Sequence, residues 1–258
     1  VRSALRTSTK GGTVLADTVL AARGVTLAFG PVRVLDGVSI DVEPGKLTVV
    51  IGPNGTGKTS LVDVLAGVRR PNAGEVTLGG RRIDDLGLHE LAELRAVVRQ
   101  RPPVPEGFLL AEMVATATGG QLGDDVLRAL DEVGIGHLAA RRVETLSGGE
   151  LQLGDLARAL VRKTPVLLLD EPTASLDPAH QHAVLAICKR RAEAGGTVLC
   201  VLHDLTLTAR YADEVVVLDR GRVAAAGPAD EVLTEPILRS VWRHPLEIVR
   251  RCGRVFIG

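Results

Sequence analysis

The stretch from Leu47 to Thr59 limits what this chain can fold into more than any other. The apolar and β-branched run Leu47 to Ile51 leads straight into Gly52-Pro-Asn-Gly-Thr-Gly-Lys-Thr59, a full match to G-x-x-x-x-G-K-[ST]. Leu61, Val62, Val64 and Leu65 then follow at helical spacing. A strand, a glycine-rich loop and a helix in that order let backbone N–H groups converge on phosphate oxygens at a helix N-terminus. Lys58 supplies a cation for β- and γ-phosphates, and the Thr59 hydroxyl suits Mg²⁺. An ordinary glycine-rich turn is the alternative, and the flanking strand and helix weigh against it.

A second acidic element ends another apolar run, at Val166-Leu-Leu-Leu-Asp170-Glu171-Pro172. Such a run delivers Asp170 to the C-terminal edge of a sheet, where ligands bind in open α/β folds. Asp170 there suits indirect Mg²⁺ binding, and Glu171 stands where it can take a proton from attacking water. Alone, two acids after a strand are equally a solvated loop; beside a phosphate loop they gain meaning. Ser147 and Glu150 in Leu146-Ser-Gly-Gly-Glu150 form the S-x-x-E capping box of a helix start. Two glycines next to a capping serine also leave N–H groups free for an anion.

Apolar runs at 47–51, 166–169, 197–202 and 215–218 alternate with amphipathic helical stretches, the pattern of a parallel sheet covered on both faces. Residues 25–29, 32–35 and 38–42, punctuated by Gly30-Pro31 and Asp36-Gly37, read as a small antiparallel layer with tight turns, joined by residues 75–78. Between Gln100 and Leu146 the β-branched runs thin out, and 122–133 and 156–161 take helical spacing, so a helical insertion is expected. Its entry, residues 101–107, carries three prolines and reads as an extended connector. Asp219-Arg-Gly-Arg222 reads as a hairpin turn into 223–226, and 229–233 as a short closing helix.

Composition narrows the function. Lysine plus arginine equals aspartate plus glutamate at 31 each and aromatics make up 2%, so no nucleic-acid partner is expected. The arginine pairs at 69–70, 81–82, 141–142, 190–191 and 250–251 are scattered and read as solvated surface. Cys200 lies in an apolar run, where a thiol acts as a small hydrophobe, and the three cysteines fit a reducing compartment. No run reaches the ~18 apolar residues of a membrane span, and no signal-peptide h-region follows the basic start. His180 and His182 are two apart and read as solvated helix residues rather than metal ligands.

The order of the phosphate loop, Gln100, Leu146-Ser-Gly-Gly-Glu150, Val166 to Glu171, Ser175-Leu-Asp177 and His203 resembles the ATP-binding cassette (ABC) ATPase family, from about residue 21 to residue 233. The resemblance implies an α/β P-loop NTPase core with a mostly parallel sheet, a small antiparallel β subdomain and a helical insertion subdomain. The implied division is a tail over 1–20, an ATPase domain over 21–235 with its helical subdomain at about 101–162, and a C-terminal extension over 236–258. It implies ATP and Mg²⁺ as cofactors. Gly52, Pro53, Asn54, Gly55, Thr56, Gly57, Lys58, Thr59 and Ser60 would hold the nucleotide, with Phe29 stacked on adenine. Thr59, Gln100 and Asp170 would serve the metal; Glu171, His203 and Gln100 would serve hydrolysis. Ser147, Gly148 and Gly149 would touch the γ-phosphate held by a second copy, with Asp177 communicating across that homodimer. Without the resemblance, Phe29 would be core and His203 a strand-end hydrogen bonder.

The segment 201–213 and the residues after Gly227 most resemble importer subunits for iron-siderophore, haem and vitamin B12 systems. That implies a peripheral protein at the cytoplasmic face, an integral membrane permease as partner and, indirectly, an extracellular solute-binding protein. An exporter ATPase and a soluble non-transport cassette are the rivals. The family usually continues after Glu150 with glutamine and a basic residue, whereas Leu151-Gln152-Leu153-Gly154 stands here, and a helical glycine costs about 1 kcal/mol relative to alanine.

Overall fold

The computed structural model describes residues 19–100, 106–251 and 254–257. The expected tail over 1–20 lies outside them except for its last two residues, and so does most of the proline-rich connector. Strands β1 (Leu20–Phe29) and β2 (Val32–Val42) form a hairpin closed at Gly30-Pro31. Asp36-Gly37, read from sequence as a second turn, is instead an irregularity inside β2. The strand passes through it because Gly37 adopts a φ of 68° and the Asp36 amide donates to the Gly221 carbonyl at 2.8 Å.

The chain then crosses into the core through β3 (Leu47–Ile51) and helix α1 (Lys58–Leu65). It returns to the antiparallel layer with β4 (Ala73–Leu78) and the two-residue β5 (Arg81–Arg82), completing the order β2-β1-β4-β5. Helix α2 (Leu88–Leu94) and edge strand β6 (Arg95–Val98) follow, neither legible from periodicity. The helical insertion comprises α3 (Leu110–Ala115), α4 (Asp124–Glu132) and α5 (Gly148–Leu160). Then come β7 (Val166–Asp170), α6 (Pro178–Glu193), β8 (Thr197–Val201), α7 (Leu205–Tyr211), β9 (Glu214–Asp219) and β10 (Arg222–Pro228). The six-stranded sheet has the order β10-β9-β3-β8-β7-β6, parallel except for the β9–β10 hairpin. Helix α8 (Ala229–Val232) does not close the fold; α9 (Glu235–Trp242) and the hairpin β11 (Ile248–Arg251) and β12 (Arg254–Ile257) come after it.

Strand alternation sorts the core into two halves. Leu47, Val49, Ile51, Leu167, Leu169, Val198 and Cys200 pack with the helical insertion and α6, while Val50, Val166, Leu168, Leu199 and Val201 pack with α1 and the antiparallel layer. Both faces are covered, which is why these strands are apolar at every position rather than every second one. Cys188 and Cys200 are free and buried, and burial pushes the Cys188 thiol up to about 12, so both act as hydrophobes. Arg191, read as solvated, is partly buried and donates to the Thr164 carbonyl at 2.8 Å. His180 and His182 are likewise partly buried, against Asp177 (2.7 Å) and the Tyr211 hydroxyl (3.0 Å). The described residues contain no cluster of three or more metal-ligating side chains and no helix long and apolar enough to cross a membrane.

Candidate active site

Parallel strands bring their C-terminal ends to one edge of the sheet, and the site assembles there. The loop after β3 turns tightly into α1. A Cβ on Gly57, whose φ is 99°, would stand 2.7 Å from the Val34 carbonyl, so the loop can approach β2 this closely only with glycine there. Lys58 opens α1 and folds back over the loop, donating to the carbonyls of Gly52 (2.8 Å) and Pro53 (2.9 Å). Thr56 is buried and donates to the Pro53 carbonyl at 2.9 Å. Burial pulls the Lys58 ammonium below its usual range, opposed by the charges of Glu171 and Asp170.

A cavity of about 570 Å³ lies over this loop. Asn54, Gly55, Gly57, Lys58, Thr59, Ser60 and Val34 form one side, and Gln100, Glu171 and His203 face them. These last three come from the ends of β6, β7 and β8, strands that are neighbours in the sheet but far apart in sequence. The Glu171 carboxylate joins them: Oε2 accepts from the Gln100 amide and Oε1 bonds His203 Nε2. Glu171 also has a left-handed backbone, φ 52°. One residue earlier, Asp170 is 4% exposed and its Oδ1 has no hydrogen-bond partner. Burial pushes this carboxyl up, against the pull of the Thr59 hydroxyl and the Lys58 charge.

The other expected residues lie elsewhere. Ser147, Gly148, Gly149 and Asp177 line a second cavity of about 440 Å³, together with Ser175 and His180, and it shares no residue with the first. The capping box is present, Glu150 N donating to Ser147 Oγ at 3.2 Å and Ser147 N to Glu150 Oε2 at 2.6 Å. Asp177 caps α6 by accepting from His180 N at 3.0 Å, a contact that holds its carboxyl below the usual range. Phe29 is neither core nor cavity wall; it is 44% exposed at the end of β1, with the Arg69 guanidinium 4.7 Å from its ring centre.

The ABC transporter family model matches residues 35–174, from within β2 to just past Glu171. The chain belongs to the ABC transporter family. This cassette is an ATP-binding, ATP-hydrolysing member of it. The Hemin import ATP-binding protein HmuV of Nocardia farcinica is 43% identical over 246 residues, covering 90% of this cassette and 85% of that protein. The protein of the same name from Thermobifida fusca is 41% identical, with 96% and 90% covered. Among solved structures, an ATP-binding cassette of an ABC transporter in its ADP conformation matches with a TM-score of 0.75 at 26% identity, over 88% of this cassette and 98% of that chain. A dimeric bacterial ABC transporter cassette, 24% identical, shares the fold with a TM-score of 0.75 over 81% and 98%.

The cassette's departure after Glu150 has a packing cause. Gly154 sits where α3 crosses α5, and a Cβ there would stand 2.7 Å from Leu110 Cδ1 and 3.0 Å from Met113 Cε. Leu153 is 3% exposed and belongs to the core, a place that would not accept an unpaired charge. Val34 lines the phosphate-loop cavity although it belongs to no motif, and only the fold of the antiparallel layer puts it there.

Proposed function

We propose that this cassette is the ATPase subunit of a haem importer, peripheral at the cytoplasmic face of the membrane. In this reading it works as a homodimer, each ATP held between the phosphate loop of one copy and Ser147, Gly148 and Gly149 of the other. The observation that carries the reading is the separation of the two cavities. The phosphate-loop cavity holds Lys58 but none of the Ser147–Gly149 segment, and the N–H-rich start of α5 lines a cavity with no lysine or arginine among its described lining residues. Two copies arranged head to tail supply each cavity with what it lacks. The haem assignment comes from the names of the relatives; a separate membrane permease and, indirectly, an extracellular solute-binding protein are the partners that an importer reading calls for.

Mg²⁺ fits the donors present: the Thr59 hydroxyl and the Asp170 carboxylate are hard oxygens, and Asp170 Oδ1 is buried with nothing bonded to it. Gln100 would complete that set. An ion held by these residues would supply charge neutralisation for the β- and γ-phosphates. Lys58 binds the same phosphates, and the backbone N–H groups from Gly55 to Ser60 orient them. Phe29 offers a face to adenine. Glu171 takes a proton from the attacking water at its carboxylate, which Gln100 and His203 hold in place. His203 additionally contacts the γ-phosphate, and Asp177 lies beside the shared boundary.

The test is Glu171→Gln, which keeps size and hydrogen bonding but cannot accept the proton. Turnover should fall by about 10²–10⁴-fold, and unhydrolysed ATP should hold the closed dimer by mass action. Light scattering with Mg²⁺-ATP should report a dimer, Mg²⁺-ADP a monomer, and Glu171→Gln combined with Ser147→Arg a monomer even with ATP. A dimer indifferent to Ser147→Arg at high protein concentration would contradict the shared site.

A further inference from the structure

Gln152 is 3% exposed, and an amide in a protein interior is kept there by what it bonds. Its Nε2 donates to the Glu171 carbonyl at 2.8 Å. Glu171 is a non-glycine residue at φ 52°, a left-handed backbone that persists only where the surroundings hold it. The Ala174 amide reaches the same carbonyl at 3.3 Å, so two donors hold this peptide, and neither residue lines the phosphate-loop cavity. The carboxylate is gripped by Gln100 and His203. A change in the Glu171 backbone angles would swing that carboxylate away from both.

We propose that Gln152 is a positioning residue for Glu171, its amide fixing the left-handed peptide that aims the carboxylate at the phosphate-loop cavity. This rests on Glu171 being the base, as proposed above. It ties α5 to that base: Ser147, Gly148 and Gly149 begin the helix and Gln152 lies in its next turn. Contact of the helix start with a partner's nucleotide is thereby transmitted to the base of its own chain.

The experiment uses the full chain, with Gln152→Leu, which keeps the volume and removes the donor, and Gln152→Glu, which donates only when protonated. Expected for Gln152→Leu is a kcat lower by about ten- to a hundredfold, the cost of a misaimed group, with affinity for a fluorescent ATP analogue within about twofold of wild type. Burial raises the pKa of the introduced carboxyl in Gln152→Glu, so its kcat relative to wild type should rise as pH falls, with no such recovery in Gln152→Leu. A wild-type kcat in Gln152→Leu overturns the proposal. So does joint loss of affinity and kcat with a flat pH ratio in Gln152→Glu, which is what a merely structural amide would give. If Gln152→Leu does not fold, the pH ratio of Gln152→Glu decides alone. Glu171→Gln separates the two claims: wild-type turnover there sinks the base assignment, whereas its loss alongside wild-type Gln152 variants sinks only the positioning role.

Discussion

A carboxylate 4% exposed, with one oxygen bonded to nothing, is held by the fold at a cost, and Asp170 is in that position. Burial is the largest influence on it and raises its pKa, so the folded chain binds this proton more tightly than the unfolded chain does. The stabilising effect of that proton is complete below the unfolded pKa and is lost as pH rises through the folded pKa. At neutral pH the core therefore carries the penalty of a buried carboxylate. Asp170→Asn should melt at a higher temperature than wild type at pH 7 without nucleotide or Mg²⁺, and the margin should narrow toward acid pH. Each 1 kcal/mol of relief raises the Tm by about 2–4 °C in a domain of this size. ATP hydrolysis should be lost in the same variant. Scanning calorimetry across pH checks it, and a lower Tm at pH 7 would mean that the carboxylate is internally compensated.

Helix α5 shows how one element serves both packing and the site. Its first turn presents the capped serine and two glycines, its next carries Gln152, and Gly154 then lets α3 lie against it. The propensity cost of a helical glycine, about 1 kcal/mol against alanine, is offset here by the close approach of Leu110, which is fully buried. Gly154→Ala should be near neutral, propensity gain and contact strain cancelling. Gly154→Val adds branched bulk against Leu110 and Met113 and should destabilise by about 1–3 kcal/mol, in line with overpacking of cores. Urea denaturation with unchanged slope would register it. A Gly154→Val variant as stable as wild type would show that α3 moves aside freely.

At the scale of the molecule, the proposed composite site predicts complementation. A Lys58→Ala chain keeps an intact Ser147 segment, and a Ser147→Arg chain keeps an intact phosphate loop. Each should be inactive alone, because every site in its homodimer lacks one wall. Mixed, the two form heterodimers in which one site is whole, so ATPase activity should reappear and peak near equal amounts. Activity that stays at the sum of the separate chains would mean that each chain binds and hydrolyses by itself. The same scale explains why Phe29 is not core: it stands at the end of a strand in the antiparallel layer and is left 44% exposed.

What could be read without the fold was what consecutive residues encode. The phosphate loop is one continuous segment between a strand and a helix, the capping box spans one helical turn, and doubly covered strands reveal themselves by unbroken apolar runs. Asp36-Gly37 misled because a turn-forming pair and a strand irregularity use the same left-handed glycine, and only pairing partners on both sides tell them apart. Strand β6, which opens with Arg95, and the elements after α8 carried too short or too mixed a pattern to stand out. Tertiary structure alone decided which motifs meet. Gln100, Glu171 and His203 converge because β6, β7 and β8 are adjacent in the sheet, while Ser147, at the start of α5, and Asp177, at the start of α6, line a cavity that shares no residue with that of Lys58. Gln152 meets Glu171 across 19 positions of sequence. Local periodicity specifies which side of an element is buried, but not what it is buried against; that depends on the packing of the whole chain.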